Sequence, residues 1–69
     1  MITYKPLLIQ LINRNMTKTQ LKDAIGLSPS TLAKLAKNEY VSLEVIERIC
    51  EYLNCQPGDI ISFEYPTKS

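Results

Sequence analysis

The 69-residue chain has no histidine and no tryptophan, and only two cysteines, two glycines and one phenylalanine. Each scarcity removes a class of function. Without histidine there is no Cys/His zinc site and no imidazole general base. Two cysteines are too few for a disulfide framework. Cys50 falls on an apolar helical face and reads as a small core residue, while Cys55, near a helix end, is left unassigned. There is no Gly-rich phosphate loop, and the carboxylates scatter along an outer helix face, so the inventory excludes an enzyme and gives no reason to expect a cofactor, a metal or a small-molecule substrate. No apolar run approaches the roughly 18–20 residues that cross a bilayer, and the first residues lack the basic-then-apolar pattern of a signal peptide. The expected location is the cytoplasm, with no membrane partner.

What is present suits a packed helical domain. Apolar residues make up 45% of the chain, well above a disordered composition. One domain over residues 1–69 is expected, near the size at which a single core is marginal and a second copy often helps. The net charge of +1 is unevenly spread. Residues 1–40 carry six bases against two acids, and residues 41–69 carry two bases against five acids.

The basic half contains the stretch Thr17 to Lys37, which reads as two short helices joined by a tight turn. Thr17 with Gln20 three residues on has the form of a capping box. Leu21, Ala24 and Ile25 then share one helical face, and Gly26 stands where a chain leaves a helix through a left-handed residue. Ser28 before Pro29 restarts a helix, because Ser caps free N–H groups and Pro suits the first turn. Leu27 and Leu32 flank that cap as a hydrophobic staple. In the second helix Leu32, Leu35 and Ala36 are expected inside, which leaves Pro29, Ser30, Ala33, Lys34 and Lys37 on a small, polar, basic outer face.

Leu21 followed by Gly26, then Leu27-Ser28, Leu32 and Leu35, resembles the Cro/CI-type, lambda-repressor-like helix-turn-helix family, also called the xenobiotic-response-element family. The likeness extends over roughly residues 5 to 62. It implies an all-α, compact five-helix domain with its helix-turn-helix at about 17–37. One position departs from the pattern: Lys22 stands where the family usually has a small Ala, so its side chain must snorkel outward past the second helix.

The flanks fit the same plan. Pro6 suits the first turn of a helix in which Leu7, Leu8, Leu11 and Ile12 form an apolar stripe ending near Asn15. Asn38 is a plausible left-handed terminator for the second helix of the motif. Ser42 caps a fourth helix from about Leu43, with Val41 and Ile46 as a staple, Glu44 at its positive end, and Ile46, Ile49, Cys50 and Leu53 buried. Pro57 to Ile61 reads as a turn entering one more helical turn, similar to the family's short fifth helix. Ile61, Phe63 and Tyr65 then alternate as an extended segment that Pro66 stops, and residues 67–69 are expected to fray. This tail, with Ile2 and Tyr4, supplies candidates for a two-stranded ribbon of the chain's own termini or for a dimer contact, with own-chain pairing favoured.

In such a motif the second helix enters the major groove of double-stranded DNA and the first crosses the backbone. Pro29, Ser30, Thr31 and Lys34 are therefore the candidates for base edges: lysine suits the guanine acceptors and the Pro ring a thymine methyl. Lys18, Thr19, Gln20 and Ser28, with Lys37, Asn38 and Tyr40 at the far end, are candidates for phosphates. The expected function is that of a sequence-specific transcriptional regulator, a repressor acting as a homodimer. The alternative is a protein-binding module of the same fold, such as the antitoxin partner of a toxin.

Overall fold

The computed structural model describes residues 1–66. Four α-helices carry most of it: α1 (Lys5–Asn13), α2 (Lys18–Ile25), α3 (Pro29–Ala36) and α4 (Leu43–Leu53). Two short strands, β1 (Ile2–Thr3) and β2 (Ser62–Phe63), pair antiparallel with Ile2 opposite Phe63 and Thr3 opposite Ser62. The chain's two ends thus form the ribbon favoured from the sequence. It is shorter than the candidate residues suggested, because Tyr4, Ile61 and Tyr65 lie outside the strands. The expected fraying of residues 67–69 lies outside the described residues.

Among the described residues no fifth α-helix forms, and the one further helical turn expected after α4 is present in 3-10 form, Pro57–Asp59. Pro57 starts the turn and the Asp59 carboxylate accepts the Gln56 N–H at 3.0 Å. Ile60 then leaves helical geometry at φ −124° and is fully buried, while its carbonyl accepts the Leu7 N–H at 3.2 Å. The chain is pinned to α1 there and turns directly into β2.

α4 organises the core. Ile46, Ile49, Cys50 and Leu53 recur at helical spacing and all four are buried, as the sequence pattern requires. Ser42 accepts the Val45 N–H at 3.3 Å and Glu44 lies in the first turn, which explains the start at Leu43. Around this stripe pack Tyr4, Leu7 and Leu11 from the first segment and Leu21, Leu27 and Leu35 from the helix-turn-helix.

The first helix buries less than its sequence suggested. Leu7 and Leu11 are buried, but Leu8 is 37% and Ile12 71% exposed, and Ile9 beside them is 58% exposed. Leu8 and Ile12 sit about 100° round the helix from Leu7 and Leu11, where no described element covers them. Ala24 and Ala36 are likewise exposed rather than inside, and Leu32 and Ile25 are only half-buried. In α3, an eight-residue helix, Leu35 alone is buried, and Leu27 just before the cap supplies the neighbouring core contact.

Ile49→Ala should therefore destabilise the protein by about 2–5 kcal/mol, the usual range for emptying a buried large side chain. Leu32→Ala should cost less than Ile49→Ala, because its side chain is only partly buried. Urea unfolding of both variants against the parent chain checks the order.

Candidate nucleic-acid interface

The site is built from α2, the turn Gly26–Ser28 and α3. Its geometry is set by helix-end chemistry. Thr17 accepts the Gln20 N–H at 3.1 Å, and the Gln20 side chain accepts the Thr17 N–H at 2.8 Å, completing the expected capping box. At the other end Gly26 takes φ +74°, and the N–H groups of Gly26 and Leu27 both reach the Lys22 carbonyl, at 2.8 and 3.0 Å. Glycine is needed for that conformation rather than for space: a Cβ added here would meet its nearest atom, in the Arg48 guanidinium, at an ordinary 3.6 Å. Ser28 then accepts the Thr31 N–H at 3.1 Å while Pro29 occupies the first helical position. The Ser28 and Thr31 hydroxyls also share a hydrogen bond of 3.0 Å.

Two long-range contacts brace this unit. Arg48, on α4, donates to the Ile25 carbonyl at the C-terminus of α2. A cation there satisfies a carbonyl left free by the helix end and complements its negative pole. The second contact closes α3 from outside. Asn38 takes φ 57°, its side-chain oxygen accepts the Tyr4 N–H at 3.0 Å, and the Tyr4 hydroxyl donates to the Glu39 carbonyl at 2.7 Å. Tyr4 is thus 2% exposed and latches the first segment to the end of α3. Burial, above all, raises the Tyr4 phenol above its ordinary pKa.

The groove candidates divide by position. Pro29, Ser30 and Lys34 are exposed on α3 with Ala33 between them, and Thr31 is half-buried against its cap. Lys18, Thr19 and Gln20 form the first turn of α2, where the first N–H groups have no intrahelical partner. Gln20 and Ser28 already spend a side-chain oxygen on capping, and Asn38 spends its oxygen on Tyr4. Lys37 and Tyr40 follow α3 and are exposed. Lys22, the position that departs from the family pattern, is three-quarters covered and reaches out to Asp23 at 3.0 Å, as snorkelling requires. What the sequence did not reveal is Arg48 and Tyr4 as braces. The partner of Arg48 lies 23 residues away in the chain.

A sequence model of the Cro/C1-type helix-turn-helix DNA-binding domain matches residues 7–66. The chain belongs to that family. Among its relatives, the uncharacterised HTH-type transcriptional regulator YozG of Bacillus subtilis (strain 168) is 35% identical over 57 residues, which cover 80% of this chain and 68% of that protein. The crystal structure of the transcriptional regulator VanUg superposes with a TM-score of 0.87 at 56% identity, covering 88% of this chain and 81% of that one. Membership in this Cro/C1-type family supports a regulator built on DNA binding, and among the described residues no helix is long and apolar enough to cross a membrane.

Within such a domain the caps hold α3. Ser28→Ala should lower stability by about 1 kcal/mol through the lost cap, and Gly26→Ala by about 1–2 kcal/mol through its left-handed backbone. Thermal melts of the two variants, compared with a Ser30→Ala control that leaves the melt unchanged, check this assignment.

Proposed function

We propose that residues 1–69 act as one DNA-binding unit, a cytoplasmic, non-enzymatic regulator that represses by occupying its operator as a homodimer. One observation carries the groove reading: α3 is fastened at both ends, yet its outward side bears only short or flexible groups, Pro29, Ser30, Ala33 and Lys34. Such a face can approach a base pair closely without steric obstruction, and Lys34 matches the O6 and N7 acceptors of guanine. Lys18 and Thr19, at the positive end of α2, suit a phosphate and would set the register of α3 in the groove. Gln20, Ser28, Lys37, Asn38 and Tyr40 would flank the same backbone.

The dimer reading draws support from Leu8, Ile9 and Ile12, which put large apolar side chains in water along one side of α1, and from Phe63 on the ribbon, 56% exposed. One domain presents a single recognition helix to a few base pairs. Two copies about a two-fold axis would read half-sites about one helical turn apart.

Titration of matched and scrambled duplexes at several salt concentrations tests the groove reading. Lys34→Ala and Ser30→Ala should relax discrimination between the two, whereas Lys18→Ala should weaken both equally and reduce the salt slope by about one. Binding that is indifferent to salt would favour a protein-binding role instead. Sedimentation at tens of micromolar should give a dimer for the parent chain and a monomer for Ile12→Glu, with an unchanged circular dichroism spectrum.

A further inference from the structure

Cys50 and Cys55 stand outside the helix-turn-helix and have no part in the proposed groove contact. Their positions are set by how α4 ends. Asn54 takes φ 56°, the Cys55 N–H donates to the Cys50 carbonyl at 2.9 Å, and the Asn54 N–H reaches back to Glu51 at 3.4 Å. This is the closure of a Schellman motif, in which the residues at the two outer positions face each other. At the end of α1 the same two positions hold Leu11 and Met16, an apolar contact with the core. At the end of α4 both are free thiols.

A continuous helix would send residues five apart to different faces. The left-handed Asn54 instead folds Cys55 back over Cys50, toward the close approach, about 4.4–6.8 Å between Cα atoms, that a disulfide needs. Both side chains border one open groove between α4 and the 3-10 turn. Cys50 lies at its floor, 8% exposed, and Cys55 is the more open of the two.

We propose that Cys50 and Cys55 are a thiol oxidation site, which closes into an intramolecular disulfide across the C-terminal cap of α4. Burial, first, and then the neighbouring Cys55 push the Cys50 thiol up to about 11, so Cys50 holds its proton at neutral pH and Cys55 meets the oxidant first. With glutathione disulfide as oxidant, the Cys55 thiolate attacks one sulfur and expels a glutathione thiolate. Cys50 then gives its proton to water and its sulfur attacks Cys55 Sγ, which releases the second glutathione. Two protein thiols are oxidised, and one glutathione disulfide is reduced to two thiols.

The test incubates the full chain with glutathione disulfide and follows free thiols and intact mass. Both thiols should disappear together, the mass should fall by that of two hydrogen atoms, and dithiothreitol should restore both. Cys50→Ser should stop at one glutathione per chain, and Cys55→Ser should keep its remaining thiol. A parent chain that retains a stable glutathione adduct, links to a second chain through a disulfide, or keeps both thiols overturns the proposal. Those parent-chain masses decide the matter even if Cys50→Ser fails to fold.

Discussion

Helices of eight to eleven residues are mostly ends, and satisfying those ends is the constraint on which this structure depends. Roughly four N–H and four carbonyl groups per helix have no intrahelical partner, so in so short a helix few backbone groups are paired by the helix alone. The chain meets this in one repeated way. Each α-helix is followed by a residue in the left-handed region, Asn15, Gly26, Asn38 and Asn54. Just beyond it the N–H of Met16, Leu27, Glu39 or Cys55 returns to a carbonyl in the last turn, that of Leu11, Lys22, Lys34 or Cys50. The N-termini of α2, α3 and α4 are closed by Thr17, Ser28 and Ser42.

These closures also place the outward face of α3. The orientation of α3 follows from a turn only three residues long, so whatever fixes Gly26 to Ser28 fixes α3. Ser28 and Pro29 act from within the turn, and Arg48 acts from α4 by holding the last carbonyl of α2. Tyr4 and Asn38 tie the far end of α3 to the first segment. Arg14 does for α4 what Arg48 does for α2, donating to the Leu53 carbonyl at 2.7 Å. Core burial around Ile49 supplies the driving force. The end contacts decide which way the helices point.

That division explains what could be read from the sequence. Cap residues act over three or four positions, so Thr17, Gly26, Ser28, Asn38 and Ser42 announced three helix starts and two helix ends locally, and the α4 stripe followed from its period. The contacts across the fold left no such mark. An arginine aimed at a carbonyl 23 or 39 residues away has no local signature, and Tyr4 read as a ribbon residue because alternation is all that a short segment shows. Burial was overestimated where a helix has only one covered side: Leu8, Ile12, Ala24 and Ala36 carry the right period but face open solvent. The fifth helix was expected as one helical turn, and it forms in 3-10 rather than α geometry, with the next residue, Ile60, drawn into the core.

Selection of bound duplexes from a random pool tests most directly whether α3 reads DNA. The parent chain should enrich an inverted repeat whose half-sites lie about one helical turn apart, and Lys34→Ala should enrich a looser version that has lost preference at one position of each half-site. A pool that stays random through successive rounds, or an enriched site that Lys34→Ala leaves unaltered, would contradict the docking of α3 in the groove.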